Sequence, residues 1–289
     1  VCVIEKTSGK AGLYFRNAHR GYPVQRIASL VFMDGTITEA SASITRSYVN
    51  GKTGQGGCLL TMEELYKLFK EANEAGFDVH MHTIGDRTAK LIIDTLKKME
   101  EDGIELKVKF VIAHLQLMVD DYIPELGKHN IFLNLTPFWV RWCDVLWKSS
   151  DITVLPEGSR SNRYNTYWKT GAPVAFSSDV TALPHIVGDG MMNPFIGIEI
   201  GMRRLEVGEM DEKWVDDPAE KLTLDQLLTG YTINGAKQCS WENITGSIEV
   251  GKSADMVVLD KNLYEIPVET IHETEPLITV FRGEEVYKA

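Results

Sequence analysis

The chain has 289 residues, a net charge of −11 and 44% hydrophobic residues, which suits one large globular domain or a barrel with a small appendage. That negative charge argues against nucleic acid or an anionic membrane surface as the main partner, and no apolar run reaches the roughly 18 residues a membrane span needs. Cys2, Cys58, Cys143 and Cys239 are isolated, with no C-x-x-C pair, so a disulfide framework is not expected and a reducing cytoplasm is.

The chain opens on Val1-Cys-Val-Ile4, without an initiator Met or a signal-like start. This reads as an internal strand, and the chain as a fragment. Residues 1–25 are interrupted by Gly9, Gly12, Gly21 and Pro23 and predict nothing regular. Arg26 to Met33 reads as a strand running into Asp34-Gly35, and residues 36–58 as a long polar, Gly-rich loop. Gly51-Lys52-Thr53 resembles the end of a phosphate-binding loop, but that loop needs a glycine five residues before the Gly-Lys pair, where Arg46 stands. The motif is excluded.

Thr61 and Glu64 predict a capping box for a helix with Leu65, Leu68, Phe69 and Ala72 on its apolar stripe, ended by Gly76. Alternation of Phe77, Val79 and Met81 predicts a strand, followed by a helix from about Asp86 to Met99. A strand over Val108 to His114, a helix over roughly Val119 to Gly127 and a strand over Ile131 to Pro137 come next. Such alternation implies parallel strands joined by crossover helices. A doubly wound sheet and a barrel both satisfy it. The absence of Gly-x-Gly-x-x-Gly and Gly-x-Ser-x-Gly turns favours the barrel.

Residues 138–168 interrupt the pattern with Trp139, Trp142, Trp147 and Trp168, plus Tyr164 and Tyr167. A long aromatic insertion after a strand is expected as a lid or pocket wall, with Trp139 and Trp142 facing substrate. The other use of such a surface is a subunit interface, and a homodimer stays open on that ground. Pro173 to Ser178 then reads as a strand that delivers Asp179, Met192 to Arg204 as a helix, and Thr223 and Gln226 as caps of a helix reaching about Lys237. From Gly246 the texture changes to short β segments: Gly246 to Gly251, Ala254 to Leu259, Leu277 to Phe281 and Val286 to Tyr287. The expected organisation is therefore a barrel domain over residues 1–245 and a β appendage over 246–289.

Three strands of the alternating region end in a metal-capable side chain: His82, His114 and Asp179. His80 and His82, two apart on one strand, share a face. Imidazole suits Zn²⁺ and similar ions, and a carboxylate can complete the site or take a proton from a metal-bound water. The C-terminal ends of barrel strands converge on one rim, which is where such a site belongs.

His82-Thr-Ile-Gly-Asp-Arg87, Ile112-Ala-His-Leu-Gln116 and Phe176-Ser-Ser-Asp-Val180 resemble motifs of the amidohydrolase superfamily. So do Asn193-Pro194, Tyr231-Thr-Ile-Asn-Gly-Ala236 and the tail from Gly246 to Asp260. The tail is common to many amidohydrolases. The His-x-Ile-Gly-Asp-Arg motif is more specific to the third amidohydrolase family, the subgroup of N-substituted formamide deformylase. The resemblance implies a (β/α)8 metal-dependent hydrolase barrel, partial in this chain, with a β-sandwich appendage. It implies hydrolysis of a carbon–nitrogen bond in an amide or formamide, with Zn²⁺ the expected ion. His82 and His114 correspond to metal-binding histidines and Asp179 to an aspartate that serves as base and often as ligand. His80 has no such counterpart and is expected to be structural.

Two departures stand out. The family's first strand carries a His-x-His pair, and nothing before residue 80 supplies one, since His19 stands alone. Leu30 occupies a position where the family commonly has a metal-bridging lysine, which disfavours a binuclear site. Asp86 and Arg87 are expected to orient substrate or cap the helix, and His185 to line the pocket. His129 and His272 are expected at the surface. The rival reading is a non-catalytic relative that binds a small molecule or a partner in a regulatory role.

Overall fold

A run of apolar residues at helical spacing needs a start signal, and Thr61 supplies it. Its hydroxyl accepts from the Glu64 N–H at 3.3 Å, while the Glu64 carboxylate accepts from the Thr61 N–H at 2.9 Å, the expected reciprocal cap. The helix, α1 (Met62–Ala75), stops at Gly76, whose φ of 76° is left-handed and open to glycine at little cost. Leu65 and Phe69 point inward, and Phe69 meets the Phe110 ring at 4.9 Å.

The computed structural model describes residues 2–3, 29–49, 52–140, 155–156, 159–179, 192–212, 215 and 217–289. They fall into two compact units, Val1–Asn134 with Leu146–Pro173, and Leu135–Val145 with Val174–Ala289.

In the first unit β1 (Cys2–Val3), β2 (Ser29–Phe32), β3 (Val79–Thr83), β4 (Phe110–His114) and β5 (Ile131–Leu135) are parallel neighbours in chain order. Parallel neighbours need crossovers. α2 (Asp86–Glu101) supplies the one from β3 to β4 and buries Ala89, Ile92, Ile93, Leu96 and Met99. Along β3, Val79, Met81 and Thr83 are buried, while His80 and His82 alternate onto the more open face. The helix expected over Val119–Gly127 is a 3₁₀ helix over Asp120–Gly127. Pro124 within it has no N–H to donate and crowds the preceding turn, which is why an α-helix does not form. Within the insertion, α3 (Tyr164–Trp168) buries Tyr164 and Tyr167 almost completely. Those two aromatic residues are core, not lid, because a fully buried ring has no face left for a substrate.

The second unit holds β6 (Val174–Phe176), α4 (Pro194–Arg203), α5 (Leu224–Tyr231) and α6 (Ile233–Gln238). The single helix expected to reach Lys237 breaks at Thr232, with φ −118° and ψ −95°. The Thr232 hydroxyl donates back to the Leu228 carbonyl at 2.6 Å, one way a threonine competes with helix continuation. Gly246 to Gly251 is turn and not strand. After it, β7 (Met256–Leu259), β8 (Pro276–Phe281) and β9 (Glu284–Lys288) form a three-stranded antiparallel sheet.

Two histidines expected at the surface are tied in. His272 Nδ1 lies 2.6 Å from Glu199 Oε2, and the fully buried Glu199 also accepts from Arg203 Nη1 at 2.9 Å. His129 bridges Glu100 at 2.6 Å and Glu125 at 3.0 Å, with Lys97 and Lys128 closing on Glu125 as well. Burying polar groups is tolerated when each finds a charged partner.

His129 first, then Lys128 and Lys97, hold the Glu125 carboxyl down to about 2. A depressed carboxylate stabilises the fold above its unfolded value of 4.5 and loses that contribution as pH falls toward 2. Glu125→Gln is therefore expected to lower stability at pH 6 and to converge on the parent near pH 2. Urea unfolding at the two pH values checks this, and an equal deficit at both would sink it.

Candidate metal centre

The centre is organised by a side chain that carries no metal motif. β2 leads into Asp34, whose carboxylate is fully buried. Oδ2 accepts from the N–H of Ser43 at 3.0 Å, the N–H of Gly85 at 2.9 Å and the Thr88 hydroxyl at 2.9 Å, and Oδ1 accepts from the Ile84 N–H at 3.0 Å. Gly85 is the N-cap of α2, so Asp34 meets unpaired backbone donors and the positive end of the helix dipole. A Cβ at Gly85 would sit 1.9 Å from the Ser43 carbonyl oxygen. Only glycine lets the loop after β2 close onto the start of α2.

Asp34 Oδ1 lies 3.7 Å from His82 Nδ1. His82 pairs with Phe32 across the β2–β3 ladder, ring to ring at 5.3 Å, and meets the His114 ring edge-on at 4.8 Å. The two histidines expected as metal ligands are thus brought together. His114 ends β4 in left-handed backbone, φ 69°, and Leu115 follows at φ 42°. Each such residue costs about 1–2 kcal/mol. The Leu115 N–H holds the bend by donating to the Thr83 carbonyl at 2.9 Å.

Burial first, then the nearby His82 and His80, pushes the His114 imidazole down to about 3. Burial first, then His82, pushes His80 down to about 4. Both rings are uncharged at neutral pH, the state in which a nitrogen lone pair is free to coordinate. Nδ1 of His82 is buried and lacks a hydrogen-bond partner among the described residues, since 3.7 Å to Asp34 exceeds hydrogen-bond distance. The orphaned His82 nitrogen beside the neutral His114 imidazole fits a divalent ion such as Zn²⁺. Among the described residues no three His, Cys, Asp or Glu side chains converge into a metal-holding group. The geometry in hand is a pair.

Asp179 belongs to the second unit, three residues past β6, and is also left-handed at φ 50°. The family-like motifs of that unit build the support for β6. The Asn234 side-chain amide donates to the Val174 carbonyl at 3.0 Å, and a Cβ on Gly230 would meet the Phe176 ring at 2.3 Å. Asn193 caps α4, its oxygen accepting from the Phe195 N–H at 2.9 Å with Pro194 in the first turn.

Asp86 accepts from the Thr45 N–H at 2.8 Å and the Thr45 hydroxyl at 2.5 Å. Arg87 donates to the Ser43 hydroxyl, the Gln55 side chain and the Gly56 carbonyl at 2.7–3.0 Å. Both side chains brace the loop over residues 43–56. Trp139 is half-buried beside Phe138, whose ring stands perpendicular to it at 6.3 Å. Trp142 and His185 lie outside the described residues, as does Trp147. Sequence reading passed over Asp34. The available signal was its position at a strand end before Gly35, the same kind of position as His82, His114 and Asp179.

The described strands thus form a parallel sheet that carries His82 and His114 near the ends of two adjacent strands. A model described as the amidohydrolase family matches residues 8–287, and the chain belongs to that family. It is 25% identical to YtcJ of Bacillus subtilis (strain 168) over 268 residues, 90% of this chain and 47% of that protein. It is 24% identical to protein LONG AFTER FAR-RED 3 of Arabidopsis thaliana over 239 residues, 81% of this chain and 38% of that protein. Among solved structures, an uncharacterised metal-dependent hydrolase from Pyrococcus horikoshii OT3 superposes with a TM-score of 0.68 at 22% identity, covering 84% of this chain and 46% of that one. The chain thus spans less than half the length of these relatives. Among the described residues no helix is long and apolar enough to cross a membrane.

Asp34→Asn would turn an amide NH₂ toward backbone donors and is expected to cost about 3 kcal/mol. Urea denaturation of parent and variant measures it, and a loss under about 1 kcal/mol would remove the anchoring role.

Proposed function

We propose that this chain is part of a hydrolase that cleaves the carbon–nitrogen bond of a non-peptide amide or formamide, in the manner of the formamide deformylase subgroup. The ion would be divalent, Zn²⁺ first, held by His82 and His114, with Asp179 assigned to it by sequence motif alone. The reading is carried by the His82–His114 pair, adjacent at 4.8 Å with a buried, unbonded nitrogen on His82. When bound, the ion supplies a water of lowered pKa and polarises the substrate carbonyl. Asp34 sets where the His82 ring stands by fixing the strand end and the start of α2 on either side of it. The Asp179 carboxylate accepts the proton of the attacking water and passes it to the leaving nitrogen. By sequence alone Trp139, Trp142 and His185 are assigned to substrate binding, while Asp86 and Arg87 hold the neighbouring loop in shape. The chain belongs, on this reading, to a longer cytoplasmic protein whose further strands complete the eight of a closed barrel.

A second reading rests on Leu30 and on the missing third ligand among the described residues. It makes the protein a non-catalytic relative that binds a small molecule in a regulatory role.

Elemental analysis of the purified chain, with and without added Zn²⁺, separates the two. The hydrolase reading expects bound metal that His82→Ala and His114→Ala each abolish. With a panel of N-formyl and N-acyl amines, Asp179→Asn is expected to reduce turnover 10²–10⁴-fold without altering the circular dichroism spectrum. Turnover within about tenfold of the parent removes the proton-transfer role. Protein that neither binds metal nor turns over any substrate supports the second reading.

A further inference from the structure

The first unit contains a cleft of about 340 Å³, within the size range of small-molecule sites. Its walls come from the segments that follow Asp34, His82 and His114 in the chain and from residues between Leu155 and Arg163. Leu117 lies three residues past His114 and Asp86 four past His82, and an extended chain covers at most about 3.6 Å per residue. The cleft wall therefore starts within roughly 11–14 Å of each histidine, on the strand-end rim. Ile44, Leu117, Met118 and Leu155 make an apolar lining. Three arginines and three aspartates face the same space: Arg46, Arg160, Arg163, Asp86, Asp120 and Asp121.

The bonding of those six side chains divides them. Asp86 is taken up by Thr45, Asp120 pairs with Arg163, and Arg46 donates to the Ser159 hydroxyl at 2.8 Å. Arg160 and Asp121 have no hydrogen-bond or ion-pair partner among the described residues. Among the described residues the cleft therefore offers one uncommitted guanidinium and one uncommitted carboxylate above an apolar lining, with a formal charge of zero across the six groups. A dianion such as a phosphate monoester would meet one uncommitted cation but also one uncommitted carboxylate, and would leave the cleft with a net negative charge. A ligand bearing one carboxylate and one ammonium answers both free groups and leaves the balance unchanged.

We infer that this cleft binds an α-amino acid or short peptide with a free amine, a free carboxylate and an aliphatic side chain, its carboxylate on Arg160 and its ammonium on Asp121. Neither residue takes part in the proposed metal centre, and the inference stands whether or not the protein hydrolyses anything.

The test is calorimetric titration of the full chain, kept in EDTA so that turnover plays no part, with leucine, N-acetylleucine and leucinamide. Leucine is expected to bind more tightly than either blocked form. Arg160→Gln is expected to weaken leucine and N-acetylleucine about tenfold and leave leucinamide unchanged. Asp121→Asn is expected to weaken leucine and leucinamide by a similar factor and leave N-acetylleucine unchanged. Both positions are exposed, so the variants should fold, and unchanged circular dichroism and thermal midpoints verify that. No saturable binding of leucine up to about 10 mM, a dissociation constant corresponding to under 3 kcal/mol, overturns the inference. So does binding that ignores both substitutions. Because metal and turnover are absent from the assay, loss of the hydrolase reading would leave its result untouched.

Discussion

A single buried carboxylate holds together the part of this protein where chemistry is proposed. Asp34 accepts four hydrogen bonds from three separate stretches, namely the loop after β2, the turn that starts α2 and the first turn of α2 itself. Each donor would be costly to bury unpaired. Together they tie the loop after β2, at Ser43, to the start of α2. Arg87 and Asp86 repeat the device from the helix side, gripping Ser43, Gln55, Gly56 and Thr45. His82 sits between these fastenings, so the position of its ring is settled by backbone geometry before any ligand arrives.

The two ligand candidates at the ends of β4 and β6 share a conformational signature. His114 and Asp179 are both left-handed, as is Leu115. Such backbone is uncommon away from glycine, and where it persists the surrounding bonds overrule local preference. At His114 the overruling bonds come from Thr83 and Ile84, the residues directly after His82. The histidine pair is thereby coupled through the main chain as well as through ring contact. In the second unit Asn234 and Gly230 do comparable work on β6, through a donated hydrogen bond and through an absent methyl group.

Much of this was readable from residue order. The capping box at Thr61 and Glu64, the strand through His80 and His82, the helix after Gly85 and the pairing of His82 with His114 follow from periodicity and from strands ending at a common rim. What escaped was set by contacts between residues far apart in sequence. Asp34 looks like any turn aspartate until its partners, nine to fifty-four residues away, are known. Tyr164 and Tyr167 belong to an aromatic-rich stretch that suggests a lid, and only burial reveals them as core. The break at Thr232 depends on one hydroxyl choosing a carbonyl four residues back. His272 reads as a surface residue because nothing nearby in sequence announces Glu199.

That last pairing has a consequence for how the chain is made. Glu199 is wholly buried, and two of its hydrogen bonds come from His272, 73 residues later. At a synthesis rate of roughly 5–20 residues per second, about 4–15 s separate the emergence of the carboxylate from that of its partner. Throughout that interval α4 can close around Arg203 alone, with one carboxylate oxygen still requiring water. The second unit therefore cannot reach its final packing piece by piece from its amino-terminal side. Its interior is sealed by a segment translated 73 residues after Glu199.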